Sequence, residues 1–435
     1  MKVIVNRLDI VSLFFTIIIL GLTIIKAPWN LGLFAAYAMI SLLFISSIEH
    51  LIAIMTIMAT IAYYFVGADE GVFSIYSIFI ILVVIRNIMS HDYRFKGKIR
   101  FLFYKVILCL IAYLSYTYSP IGYFNGFTNM IYIIVLSIVL ANFVDLNIEK
   151  LCKIMAYIAC IVVVGFFIML VASGVLQEGR FSISDAVNAN TFGMSCAQIG
   201  IVLFLSFFLE KFNKKRRRLY IIFFCLDCVL ILMSGSRTAF FAMFASIAIA
   251  MFIMSVRDDK LSRRARRLII LGITLMIVAA FALSDVGIDL SRYNYIELIK
   301  GGGTNRFSIF AAIIPFVIVM GYWKFGYGPG HECSRIIVSK LVGREYTHTH
   351  NLFIEAFAEL GVGGLLFFII ILFGAFANAL KMSKINVYRL IPLAMLIGLS
   401  INGLGESYFC DAYLWILIGL CEQVDSGSNK YAIDE

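Results

Sequence analysis

Apolar residues run in long, nearly unbroken stretches down the chain, separated by short polar or basic punctuation rather than by the two-sided polarity of a soluble fold. Reading the runs against that punctuation predicts helices over about 10–25, 31–48, 51–66, 72–89, 101–118, 128–144, 151–173, 191–209, 219–233, 239–256, 268–284, 352–380, 390–404 and 408–421. Recurring apolar runs of about 15 to 25 residues are of membrane-spanning length, and no soluble core absorbs so many. The predicted fold class is all-α, a polytopic membrane protein with about 14 transmembrane helices.

One further run, FSIFAAIIPFVIVMGY over 307–322, is apolar enough to span. Counting it as a crossing flips everything downstream, so it is read, with Pro315 in its middle, as a re-entrant or interfacial helix. It then lies inside one long outer segment, 285–350. The expected organisation is a single membrane domain over 1–421 and a solvated, disordered cytoplasmic tail over 422–435. The first run resembles a signal peptide, but KAPWN after it offers no small-x-small cleavage site, so it is expected to remain as a helix.

Composition sharpens this picture. Of 435 residues 62% are hydrophobic and 14% charged, which excludes a soluble globular protein. The net charge of +10 would suggest a nucleic-acid partner in a soluble chain, whereas here it sorts by loop. With Lys2 and Arg7 inside, the basic clusters at 94–100, 211–218, 257–267 and 381–389 all fall on the cytoplasmic side. The short outer loops carry almost only Lys26, Arg180 and Arg237. Both termini are therefore expected in the cytoplasm, with no nucleic acid bound. Most of the nine cysteines fall inside spans, so no disulfide framework is implied, and Cys225-x-x-Cys228 reads as buried small hydrophobes.

Candidate chemistry gathers on the outer side. Arg237 sits in SGSRT between two apolar helices, where the orientation rule opposes a positive charge. Either it snorkels to anionic headgroups, or it binds an anion with its planar fork beside a helix start. Arg306 follows Gly301, Gly302 and Gly303 and leads the 307–322 run, where a second cation would suit a diphosphate. His350 and Asn351 open the helix over 352–380, and Asn351, Glu355 and Glu359 fall near one of its faces. Carboxylates at such depth cost about 2.5–3.5 kcal/mol each if lipid-facing, so they should face the bundle interior, with His350 at the mouth as a candidate general base. Asp227, in mid-helix, fits a buried polar contact. No D-x-D, H-E-x-x-H, G-x-S-x-G or P-loop is present, and nothing signals a cofactor.

Four motifs stand in order: Asn-x-Asn-x-x-Gly at 188–193, Gly-Ser-Arg at 235–237, Arg306 leading to Gly-x-Gly at 326–328, and His-Asn with Glu-x-Gly at 350–361. In this the chain, over about 150–380, resembles the bacterial O-antigen polymerase and O-antigen ligase superfamily. Ala189 stands where that family often has proline. The resemblance implies a GT-C-like membrane glycosyltransferase of the cytoplasmic (inner) membrane, independent of metal. Its donor would be a glycan on undecaprenyl diphosphate, used at the periplasmic face. It further implies that Arg237 and Arg306 hold the diphosphate, that Arg180 and Asn190 support that donor site, and that His350 activates the attacking hydroxyl. The acceptor would be another lipid-linked glycan in a polymerase, with a chain-length regulator as a partner, or lipid A core in a ligase. A lipid-linked oligosaccharide flippase or transporter is the competing class, and it predicts charge along the helix interiors and a repeat between halves.

Overall fold

The computed structural model describes residues 47–60, 83–85, 98–173, 175–177, 180–182, 188–210, 213–256, 306–343 and 348–424. The expected spans at 10–25 and 268–284, most of those at 31–48 and 72–89, the start of the long segment, Gly301 to Gly303 and most of the tail lie outside these residues.

Two compact units are distinguishable. Among the described residues the first draws on 47–60, those between 148 and 256, and 393–402. Its helices are α1 (Ile48–Ala59), α4 (Ile148–Ser173), α5 (Ala189–Leu209), α6 (Lys214–Ser234) and α7 (Arg237–Ser255), with a two-stranded antiparallel hairpin of β1 (Val175–Gln177) and β2 (Arg180–Ser182). Helix α5 is apolar on all sides and buried along its length, the signature of a central helix, and it packs on α4, α6 and α7. The basic residues from Lys214 to Arg218, expected in a loop, form the first turns of α6. The Asn213 side chain caps that helix by accepting from the Lys215 and Arg216 N–H groups, and Arg216 and Arg217 lie over the Tyr157 and Phe207 rings.

The second unit comprises, among the described residues, those between 83 and 147, between 306 and 392, and from 403 to 424. It contains α2 (Ile99–Tyr118), α3 (Phe124–Asn142), α8 (Arg306–Val319), α9 (His331–Val342), α10 (Leu352–Met382) and α12 (Ala412–Glu422). Helix α11 (Leu390–Asn402) follows a short 3-10 turn and contributes 393–402 to the first unit. Helix α10 packs on α2 and α12, and α12 packs on α3. At the C-terminal end of α12 the orphan carbonyls expected of any helix end are satisfied by side chains. Asn378 Nδ2 donates to Cys421 O at 2.9 Å, and Arg389 Nη1 donates to Gln423 O at 2.9 Å. Beside them Lys105 and Glu422, both fully buried, form an ion pair, with Lys105 Nζ also 2.7 Å from Ser137 Oγ.

Among the described residues six helices, α2, α3, α4, α5, α7 and α10, are long and apolar enough to cross a membrane. The chain is a multi-pass membrane protein. The 307–322 run is helical as α8, but its 14 residues reach about 21 Å, short of the roughly 30 Å hydrocarbon core. Ile309, Ile313 and Val317 of α8, at helical spacing, are buried with Tyr327, Cys333, Ile337, Val338 and Ala358. The second helix of this segment, α9, has no counterpart among the predicted elements. Its apolar content is too low and its length too short to stand out among spans.

Candidate active site

The first unit brings together the first two motifs. Asn188 is the N-cap of α5, its side chain accepting from Asn190 N at 2.9 Å, so the Asn-x-Asn pair starts a helix. Gly193, one turn on, faces the turn between α6 and α7: a Cβ there would stand 2.6 Å from both Ser234 Oγ and Ser236 Cβ. Only a glycine lets α5 approach that turn. Arg237 is not in the turn itself, as its sequence setting suggests, but is the first residue of α7, half-buried, where orphan N–H groups and the helix dipole favour an anion. Strand β2, which begins at Arg180, packs on α5 and α6.

The second unit brings together the other two motifs, and they prove to be one built element. Helix α10 breaks at Gly361, whose φ of 70° and ψ of −171° lie in a region essentially restricted to glycine. The segment 323–330 threads into this break. Val362 N donates to Trp323 O at 2.8 Å and Tyr327 N to Ala358 O at 2.9 Å. A Cβ at Gly361 would stand 2.7 Å from Lys324 C, and one at Gly326 would collide with the Glu359 carbonyl. Glu359 completes the lock. It is wholly buried, accepting from Ser334 Oγ at 2.7 Å, Gly330 N at 2.9 Å and Cys410 Sγ at 3.0 Å. Gly-x-Gly and Glu-x-Gly therefore fix each other, a pairing that the order of the motifs in the sequence does not reveal. Arg306 is the first residue of α8, which packs on α9 and α10.

His350 precedes this element with φ of 50°, the only non-glycine residue with positive φ among those described. The strain, of order 1–3 kcal/mol, is held in place by neighbours on both sides. Thr349 Oγ1 lies 2.8 Å from Ser407 Oγ. Asn351 caps α10 by accepting from the Phe353 and Ile354 N–H groups at 3.0 Å, and it donates to Leu404 O at 3.1 Å. The imidazole is one-quarter exposed, with Nδ1 3.3 Å from Glu406 Oε2. A carboxylate on Nδ1 selects the tautomer with its proton there and leaves Nε2 as a lone-pair acceptor.

Two more histidines lie alongside. The His348 ring meets His350 edge-on at 6.4 Å and His331 at 5.8 Å between centroids. Burial pushes His348 down to about 4, with the neighbouring imidazoles of His331 and His350 acting in the same direction. His331, the first residue of α9, has Nδ1 2.9 Å from Glu355 Oε1 and Nε2 3.2 Å from Asp411 Oδ1. Burial opposes its charge, but Glu355 and Asp411 outweigh that and hold it well above the usual imidazole value. Glu355, fully buried as its helical face predicts, also accepts from Phe409 N at 3.0 Å.

Glu406, Asp411 and His331 are not among the residues that sequence reasoning singles out. Glu406 does stand out in the sequence as a charge in the short segment between the last two apolar runs, Asp411 as a charge near the start of the last run, and His331 directly follows GYGPG.

No protein of curated function matches the chain. A family model described as O-antigen ligase matches residues 222–369, a stretch containing Arg237, Arg306, His350, Glu355 and Glu359. Over that region, about a third of the chain, the protein is similar to the O-antigen ligase family, in keeping with the superfamily that its motifs resemble.

Proposed function

We propose that the protein is a membrane glycosyltransferase that polymerises surface-polysaccharide repeat units (O-antigen, capsule or exopolysaccharide) from undecaprenyl-diphosphate-linked donors at the periplasmic face. The observation that carries this reading is His350, oriented by Glu406 on Nδ1 and presenting Nε2 at the start of α10, inside the stretch that matches the O-antigen ligase family. Nε2 takes the proton of the acceptor hydroxyl as its oxygen forms a bond to the anomeric carbon. The bond from that carbon to the diphosphate oxygen breaks, and undecaprenyl diphosphate leaves with the electron pair. Such a direct displacement inverts the anomeric configuration.

The roles of Arg237 and Arg306 rest on the resemblance: each meets the charge that grows on the departing diphosphate, which a guanidinium fork binds bidentately and a lysine cannot. Arg180 and Asn190 support the donor site in the same scheme, and the transfer step itself calls on no metal. Ligation of finished polymer to lipid A core uses the same chemistry with another acceptor, and is the second reading because the family model is described by that activity. A flippase has no use for a base oriented in this way.

The test is deletion of the gene followed by display of lipopolysaccharide and capsule on gels, with complementation by wild type, Arg237→Ala, Arg237→Lys, Arg306→Ala and His350→Ala. Loss of chain length with one repeat unit retained supports the polymerase, and polymer stranded on its carrier supports the ligase. Wild-type product from the arginine variants overturns the diphosphate assignment.

A further inference from the structure

We propose that His331, Glu355 and Glu359 form a binding site for a divalent transition-metal ion, with zinc as the matching cation. One ligand atom from each residue lies within 4.8 Å of those of the other two. Around a zinc ion with ligands at about 2.0–2.2 Å, such atoms stand roughly 3.3 Å apart, so modest closure completes the set. An imidazole with carboxylates is a donor set that zinc and manganese accept.

Three independent features mark the cluster as more than an ion pair. The first is hydrogen bonding. His331 Nδ1 and Glu355 Oε1 are both buried and neither has an aligned hydrogen-bond partner, although they stand 2.9 Å apart. The two atoms form a close ion pair whose hydrogen-bond geometry is poorly directed, and a metal ion taking the place of the imidazolium proton would meet both, while the other oxygen of Glu355 is fixed by Phe409 N. The second is the outer shell. Metal-bound histidines almost always donate the far ring nitrogen to a carboxylate or carbonyl, and His331 Nε2 faces Asp411 Oδ1 at 3.2 Å. Glu359 is likewise oriented by three donors, leaving it capacity for one more bond. The third is charge. Two fully buried carboxylates, Glu355 and Glu359, and the half-buried Asp411 meet around a single imidazole, and a divalent ion offsets the excess negative charge.

The site would tie the start of α9, the first two turns of α10 and the segment before α12 together. His348 stands between it and His350, its ring touching both. The ion holds this frame and takes no part in glycosyl transfer, so the inference does not depend on the proposed activity.

The test uses the full-length protein in detergent with any affinity tag removed, stripped with a chelator and reloaded separately with zinc, manganese or magnesium. Elemental analysis should find about one zinc per chain in the wild type and in a variant of Glu332, which pairs with Arg335 on α9 and is no ligand, namely Glu332→Gln, and none in His331→Ala or Glu355→Gln. Cobalt, loaded in place of zinc, should give visible d–d absorption in the wild type, which reads the site without any variant. Absence of stoichiometric zinc and of that absorption overturns the proposal, leaving His331 as an imidazolium between Glu355 and Asp411. Retention of zinc by both variants when they elute as folded protein overturns it equally.

Discussion

His350 Nδ1 and Glu406 Oε2 lie 3.3 Å apart although 56 residues separate them in the chain. In the proposed mechanism the contact gives Glu406 a task that an amide performs badly, since a neutral carboxamide has no charge to stabilise the imidazolium formed when His350 takes a proton. Glu406→Gln should therefore lower turnover by about 10²-fold with little change in donor binding, while His350→Ala loses more. Measured transfer in reconstituted membranes decides it. Unchanged turnover in Glu406→Gln would remove Glu406 from the mechanism.

Gly361→Ala should be poorly tolerated. Alanine must adopt φ near 70° and meets the Lys324 backbone at 2.7 Å, a combined cost of at least about 3 kcal/mol. The expected readout is a lower midpoint of thermal unfolding and a reduced monodisperse peak on size exclusion. Wild-type behaviour would show that the lock between 323–330 and α10 is dispensable.

Lys105 and Glu422 form a fully buried pair, so removing one partner strands the other. Lys105→Met should destabilise by about 3–5 kcal/mol, whereas Lys105→Met combined with Glu422→Leu should recover most of the loss. A double variant as unstable as the single one would mean that the charges contribute more than packing.

His348 supplies a pH signature. Its value near 4 in the folded protein lies below the unfolded value of about 6.5, so the unfolded chain binds the extra proton first as pH falls. Stability is fully present above pH about 6.5 and is lost through the window down to about 4. His348→Asn should flatten that part of the curve of unfolding midpoint against pH, and an unaltered slope would refute the assignment.

Thiol labelling probes the same region. Burial pushes Cys333 up to about 12, and it raises Cys410 well above the ordinary thiol range. Neither should react with a maleimide at neutral pH in the folded protein, and both should react in SDS. Rapid native labelling of either would mean that this region opens.

The share of this architecture legible in the sequence follows from what a one-dimensional pattern carries. The apolar runs locate α2, α3, α4, α5, α7 and α10 to within a few residues, because a membrane-spanning helix is defined by its own composition. Period alone places Glu355 and Glu359 on a buried face. Helical period says nothing of loops, so the Glu406 partner of His350 and the Asp411 partner of His331, the latter 80 residues away, are invisible to it. The basic start of α6 is misplaced by the sequence pattern because five consecutive cations read as a solvated loop, whereas Asn213 and two aromatic rings hold them in a helix.

The break in α10 also divides the helix into two parts of unequal length. From Val362 to Met382 the helix has 21 residues, about 31 Å, close to the thickness of the hydrocarbon layer. The nine residues from Leu352 to Leu360 add a separate arm of about 13 Å. The longer part ends at the basic Lys381, and the arm begins at the Asn351 cap, directly after His350. Because the 323–330 backbone fills the break, the angle between the two parts of α10 is set by the protein's own contacts rather than left to the bilayer.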